Sequence, residues 1–392
     1  MRVLMLNHNV AWRGGTFFRA FQFGRHLAIR GHEVTLLTIS PNRRVGFREQ
    51  ITEGVRIVET PDLLWGIGRT GWDLWDTVGR LYYLKGKLWE IIHAWDCRPA
   101  VIIPALFARQ QSRTTNAKLV IDWCDWWGRG GTQAERPGGV SKWLYSPVET
   151  YFEEAFRTRA DATTVISQAL YQRSIGLTVP ADTIHILPQG CDIDVSAPPA
   201  RDDARRLLKI PKSHPLVLSV GALTASESKL FFATIRLLFG ERADCRVVMI
   251  GNHGTVIPDD LRKHPQFMEA GFVSDETLKN YVGACSALFV PLTDTIASRG
   301  RWPSKANPFL AAGRVVVITE VGDLAALLKR EHAGIVARCD TRDIVENLKK
   351  LFDNPSLQRS CESQARRVAE EYLAWPIITD KLENLYRTLE CS

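Results

Sequence analysis

The feature that most limits the fold is a short, unbroken apolar run that recurs along the chain, each time followed by a turn and a helical pattern. "VLMLN" (3–7), "EVTLLT" (33–38), "EIIHA" (90–94), "LVIDW" (119–123), "TTVIS" (163–167) and "IHILP" (184–188) are such runs. Apolar on successive residues, they suit strands buried on both faces, as in a parallel sheet covered by helices. Between the first two, "TFFRAFQFGRHLAIRG" places Phe17, Phe21, Gly24 and Ala28 on one helical stripe and Gly31 at the C-terminal cap. The opening is therefore a β-α-β unit with a right-handed crossover. The alternation pauses over residues 192–214, rich in proline and charge, and resumes with "LVLSVG" (216–221), "CRVVMIG" (245–251), "MEAGFVS" (268–274), "ALFVPL" (287–292) and "VVVIT" (315–319). Helical patterns fill 341–390. The expectation is an α/β chain of two Rossmann-like, doubly wound domains, residues 1–195 and 196–375. Ligands in such sheets bind outside the carboxyl ends of the strands.

A length of 392 residues suits two domains, and no internal repeat of 20–50 residues interrupts them. No apolar run approaches the ~20 residues needed to span a bilayer. "MRVLMLN" enters a strand at once, without the apolar core of a signal peptide, which predicts a cytoplasmic protein. The eight cysteines form no C-x-x-C pair, so neither a disulfide framework nor a zinc site is indicated. A net charge of +7 suits anionic ligands or an anionic membrane face and does not require nucleic acid. Eight tryptophans, Trp65, Trp72, Trp75, Trp89, Trp95, Trp123, Trp126 and Trp127, precede Trp143 in the first half. They serve either as core or as a sugar-stacking or membrane-facing surface. "WGIGRTGWDLWDTVGRLYYLKGKLW" (65–89) adds Arg69, Arg80, Lys85 and Lys87 to the aromatics and is the candidate for peripheral contact with a membrane or a lipid-linked acceptor.

Three stretches carry candidate chemistry. Gly14 and Gly15 follow the first strand, where glycine lets backbone N–H groups approach a ligand. "IDWCDWWGRGG" (121–131) sets Asp122 and Asp125 at a strand end among tryptophans, with Arg129 in a glycine-rich loop. Carboxylates bind sugar hydroxyls and indole faces stack on the ring, which makes Trp123, Trp126 and Arg129 acceptor-side candidates. His93 ends the preceding strand in an equivalent position. "RGRWPSKANPFLAAGR" (299–314) holds four cations and no acid. Ser304 is expected to cap a helix with Lys305 in its first turn, an arrangement that a bound phosphate would neutralise with Arg301. Alternatively the helix begins at "NPFLAAG", with Asn307 as cap and Pro308 in the first position.

In order and spacing, "MRVLMLNHNVAWRGGTFFRAFQFGRHLAIRGHEVTLLT", "ADATTVISQAL", "ILPQGCDID", "LSVGAL", "VVMIG", "GFVSDETLKNYVGACSALFVPL" and "PSKANPFLAAGRVVVITEVGD" resemble a family 4, nucleotide-sugar-dependent glycosyltransferase of the GT-B fold. The resemblance spans nearly the whole chain. It implies two domains facing across a cleft, with a last helix (376–392) that returns to the first. It further implies a UDP- or GDP-linked sugar as donor, no metal and no other cofactor, and transfer with retention to a glycan, lipid-linked or small-molecule acceptor held by the first domain. Gly15 and Gly14 would approach the donor, Lys305 and Ser304 the diphosphate, and Val273 would border the base. Gly221 ends the strand that in the family carries an arginine one residue on, here Ala222, and Lys229 stands nearest the companion lysine. The family's two spaced glutamates align with Gly300 and Pro308, which leaves Asn307 as substitute ribose partner. The family's histidine in the first-domain D-x-H turn is Cys124. Asp122, Asp125 and Lys305 are the expected catalytic residues. The alternative reading is a catalytically weak GT-B protein that acts as a binding or partner subunit.

Overall fold

A computed structural model describes residues 1–63, 70–135, 140–194, 197–254 and 256–391, with only the backbone at 140–142 and 144. The chain divides into two compact units. One is Met1–Pro188 with Trp375–Ser392; the other is Gln189–Ala374. The division thus falls at 188/189 rather than at 195/196, and Trp375 joins the first unit.

The first unit holds eight strands: β1 (Arg2–Val10), β2 (Glu33–Ile39), β3 (Arg48–Thr52), β4 (Val55–Thr60), β5 (Ile91–Ala94), β6 (Lys118–Trp123), β7 (Ala162–Val165) and β8 (Ile184–Ile186). Their order is β3-β4-β2-β1-β5-β6-β7-β8. All neighbours are parallel except β3 and β4. The strand pair β3–β4 is absent from the sequence reading. β3 is an edge strand of polar, largely exposed residues, so it carries no apolar run. Its signal is the turn: Glu53 and Gly54 both have positive φ (48° and 82°), the backbone of a two-residue hairpin loop.

Helices cover both faces of this sheet. On one, Gly15–Ile29 sets Phe17, Phe21 and Phe23 against Val3, Met5 and Trp95. Gly24 lets this helix lie close, because a Cβ there would stand 3.3 Å from Val34 and 3.4 Å from Val55. Helix Trp375–Glu390 completes the same layer through Trp375, Ile378, Leu382 and Tyr386. On the other face, Pro99–Gln111 buries Val101, Ile102 and Ala105 against Leu4, Leu6 and Ile92.

The second unit has β9 (Leu216–Val220), β10 (Arg246–Ile250), β11 (Phe267–Gly271), β12 (Ala287–Val290), β13 (Val316–Thr319) and β14 (Ile335–Ala337), ordered β11-β10-β9-β12-β13-β14 and parallel throughout. This is the doubly wound order. β14, three residues at an edge, is too short to leave a sequence signal. The long helix Ala225–Glu241 packs Phe231, Ile235 and Leu238 onto Val217, Val247 and Phe289.

In each sheet the chain reverses its direction of spread at one point. That point lies between β1 and β5 in the first unit and between β9 and β12 in the second. Each reversal opens a crevice at the strands' carboxyl ends.

Candidate functional sites at two topological switch points

The first crevice is a cavity of about 200 Å³. His8 reaches it from the end of β1, Trp95, Asp96 and Arg98 from the turn after β5, and Asp122, Trp123, Asp125 and Trp127 from the end of β6. Its charges are mostly spent. Asp122, 1% exposed, accepts from Arg19 Nε and Nη2 at 3.2 Å each and from Thr164 Oγ1 at 2.6 Å. Arg19 in turn donates to Leu187 O (2.8 Å) and Pro188 O (3.0 Å). Asp122 therefore anchors the chain after β8 to the first helix. Its carboxylate is thus committed to the fold, although it still borders the cavity.

Asp96 accepts from the amides of Cys97 (2.5 Å) and Arg98 (3.2 Å), with Arg98 Nε 3.4 Å away. Burial raises its pKa against these favourable contacts. His8 Nδ1 lies 3.1 Å from Asp96, yet burial first, then Arg98 and Arg80, hold its pKa well below the ordinary value, so the imidazole is neutral. Asp125 is exposed beside the cavity. Cys124, in the place of the family histidine, lies 3.6 Å from Thr16 Oγ1, and burial first, then Asp125 and Asp122, push its thiol pKa well up.

Of the four acceptor-side residues, His93, Trp123, Trp126 and Arg129, Trp123 alone lines the cavity among the described residues. His93 is a core residue: it is fully buried, stacks on Trp95 at 4.1 Å, and bonds Tyr386 Oη at 2.6 Å. Burial lowers its pKa to about 3. Trp123 is 1% exposed and presents its ring to the Arg157 guanidinium, 3.7 Å from the centroid. Trp126 closes its own loop through Nε1 to Arg129 O (2.8 Å), and Arg129 is exposed; neither lines the cavity. Arg157 and Trp95, which do line it, carry no motif in the sequence. Gly14 caps the first helix with φ 88°, and a Cβ there would meet Asn9 Nδ2 at 2.7 Å. Gly15 faces open space.

The second crevice gathers the basic stretch. Gly221, φ 73°, ends β9 with nothing within 4 Å of where a Cβ would stand. Lys305 Nζ donates to Ala222 O at 3.2 Å. Burial, opposed by Glu227 and aided by Arg301, lowers its pKa to about 8. Arg301 pairs with Glu227, while its Nε has no hydrogen-bond partner among the described residues. Glu227 also accepts from Thr224 N (2.8 Å) in a capping box at the start of Ala225–Glu241. Ser226 Oγ and Thr293 Oγ1, 2.8 Å apart, join the first turn of Ala225–Glu241 to the loop after β12. Glu227 and the buried His253, whose Nδ1 is 3.3 Å from Gly221 O, are functional candidates that the sequence reading lacked.

Two helix-cap expectations for this unit, at Ser304 and at Asn307, are corrected. Ser304 caps nothing: it is the exposed first residue of a 3-10 turn, Ser304–Ala306. The helix that follows, Asn307–Ala311, has Ala306 at its cap position, with Pro308 second in the helix and exposed. Asn307 is 1% exposed. It accepts from Trp302 Nε1 (2.9 Å) and donates to Gln189 O (2.6 Å) and Gly190 O (3.1 Å). Its amide is committed to the fold. Lys229 is exposed and makes no ion pair among the described residues. Val273 is half-buried in the turn after β11, and Gly300 ends a short helix, Ile296–Arg299.

The family follows from the sequence as a whole. The chain matches the family described as Glycosyl transferase 4-like domain over residues 14–190 and the one described as Glycosyl transferases group 1 over residues 214–354. Similar solved structures include sucrose-phosphate synthase from Thermosynechococcus elongatus, 16% identical, TM-score 0.74, covering 100% of both chains. HepE from Anabaena in complex with UDP is 12% identical, TM-score 0.69, over 99% of this chain and 100% of that one. The catalytic domain of starch synthase IV from Arabidopsis thaliana bound to ADP and acarbose is 12% identical, TM-score 0.70, over 100% and 99%. No curated protein sequence matches the chain. The chain belongs to the family 4 glycosyltransferases of the GT-B fold and is a glycosyltransferase enzyme.

Proposed function

We propose that the enzyme moves a hexosyl group, with retention of configuration and without a metal, from a UDP- or GDP-linked sugar to a glycan, lipid-linked or small-molecule acceptor. The observation that carries this reading is the grouping of Lys305, Arg301 and the open Gly221 at the carboxyl end of β9. A departing diphosphate needs charge stabilisation that strengthens as the bond to the sugar breaks. Two cations held in place by Ala222 O and Glu227 supply it without reorganisation. The HepE and starch synthase IV structures, with UDP and with ADP, support a nucleotide-linked donor. The leaving phosphate itself takes the acceptor's proton. The first unit's cavity, with Asp125 beside it, receives the acceptor.

Peripheral membrane contact belongs to the same proposal. Leu74, Trp75, Val78 and Tyr82 are exposed along the helix Leu74–Leu84. Arg80 does not join that surface, since it is buried against Asp76 at 2.8 Å. Lys85 is exposed, Lys87 covers the Tyr83 ring, and Trp65 and Arg69 lie outside the described residues. Among the described residues no helix is long and apolar enough to cross a membrane.

The test is turnover of a panel of UDP- and GDP-sugars with the anomeric configuration of the product read by NMR. An inverted product would refute retention. Absence of both transfer and donor hydrolysis across the panel would refute the donor assignment.

A further inference from the structure

The cavity at the first switch point has an imbalance that the proposed reaction does not use. Its buried carboxylates are bonded, with Asp125 at an exposed position on the same lining. Asp122 is held by Arg19 and Thr164, and Asp96 by two backbone amides beside Arg98. Glu153, behind the wall, is held by the amides of Trp127 (2.8 Å) and Gly128 (2.9 Å). Its donors are not. Arg157 is 0% exposed and lines the cavity. Its Nε donates to Glu153 O at 2.8 Å and its plane covers Trp123, but both terminal nitrogens, Nη1 and Nη2, have no partner among the described residues. Trp95 Nε1, equally buried in the same wall, has none either. A buried guanidinium with two idle donors is costly to keep, and in native proteins such groups are normally completed by something else.

We propose that this cavity takes the oxyanion of an acidic sugar acceptor, a carboxylate or phosphate group, with the Arg157 fork as its principal partner and Trp95 Nε1 and Arg98 as further donors. The reasoning is one of complement. A neutral sugar brings hydroxyls that donate as well as accept, and the deep part of the wall beside Arg157 and Trp95 has its carboxylates already bonded; the further acceptors on the lining include His8 Nδ1 and the exposed Asp125. An oxyanion only accepts, and a planar fork of two N–H groups matches its geometry. Arg98, 18% exposed, supplies a second cation on the same wall. The ordering of Arg157 over the Trp123 ring before any ligand arrives means that little side-chain freedom is lost on binding.

This inference rests on the reading of the cavity as the acceptor site, and binding without donor separates the two. The full chain is titrated calorimetrically with glucose, glucuronate, glucose 6-phosphate and inorganic phosphate, and with UDP as control. The expected order has glucuronate or glucose 6-phosphate at least tenfold tighter than glucose, with UDP not competing. Arg157→Lys, which keeps the charge and loses the fork, should cut that preference at least fivefold while leaving the UDP affinity unchanged. Should Arg157→Lys fold poorly, Arg98→Gln, at a less buried position, should cut it by about threefold or more. Equal binding of glucose and both acidic sugars would overturn the oxyanion assignment and leave the acceptor site standing. Inorganic phosphate as tight as glucose 6-phosphate would assign the cavity to the free ion and overturn the acceptor part, and so would displacement of the acidic sugar by UDP. No binding by any of the four probes would overturn both. A chain that binds in the expected order yet transfers from no nucleotide sugar would break the proposed reaction and not this inference.

Discussion

At the first sheet's switch point the charges lie deep. Arg19, Asp122 and Arg157 are each no more than 1% exposed, and nearly every carboxylate there is bonded to the protein itself. At the second, Lys305 and Arg301 are only partly buried, the buried Glu227 stands against them, and a glycine leaves the approach open. The topology of the two crevices is alike. What differs is whether charge is used to hold the fold together or kept for a ligand. Buried, mutually bonded ions are expensive to disturb, whereas a half-buried cation next to a carbonyl is cheap to lose for the fold and dear to lose for binding.

The comparison breaks first at Asp122. Asp122→Ala leaves Arg19 buried without its counter-ion, and urea denaturation should show a loss of about 3–5 kcal/mol. Asp125→Ala, at an exposed position on the same loop, should change stability by no more than about 0.5 kcal/mol. Equal effects of the two would show that the deep pair does not anchor the first unit.

Lys305→Ala should do the opposite of Asp122→Ala. A charged hydrogen bond to phosphate is worth roughly 1.5–3 kcal/mol, so calorimetry should show nucleotide-sugar binding weakened by about ten- to a hundredfold. The melting temperature of the free protein should stay level or rise at pH 7. The folded-state pKa of about 8 lies below the ordinary lysine value of 10.5, so below pH 8 the fold carries a penalty for the charged ammonium that alanine removes.

The same pKa sets a pH dependence. Lys305 is charged below about pH 8 and loses its proton above it, so donor affinity should hold from pH 6 to 7 and fall as pH rises through 8. The limit is about tenfold per pH unit, with the midpoint moved upward by the bound diphosphate. In Lys305→Ala this fall should vanish, which separates the lysine from other titrating groups.

The smallest effect is expected at Pro308. It is exposed and second in its helix, so Pro308→Glu should leave stability within about 0.5 kcal/mol. Restoring a carboxylate where the family holds ribose should tighten donor binding a few-fold. An unchanged affinity would show that ribose is held elsewhere.

Much of the fold was legible because burial on both faces leaves a local mark. The runs that became β1, β2, β5 to β8 and β9 to β13 are readable within five or six residues. The hairpin β3–β4 and the edge strand β14 were not, since edge strands face water and need no apolar run. The cationic character of the stretch around Lys305 was also legible, from charge density, whereas its place beside Ala222 at the end of β9 was not. The polar bookkeeping around it was not. Asn307 looked like a cap and proved to be a clamp on Gln189 and Gly190, over a hundred residues earlier in the chain. His93 looked like a site residue and proved to be core, because Tyr386 from the last helix takes its Nδ1.

The sequence by itself determined the layered α/β architecture, its two halves and the presence of a cationic stretch in the second. These depend on periodicity and composition, which neighbouring residues decide. Only the tertiary structure decided which polar groups are spent and which are idle. Arg19 satisfies Asp122 from 103 positions away, and Arg157 is left with two nitrogens unbonded among the described residues at a cavity wall. Hydrogen bonding saturates: a donor taken by one partner is lost to every other, and which partner arrives first in space is a property of the packed chain.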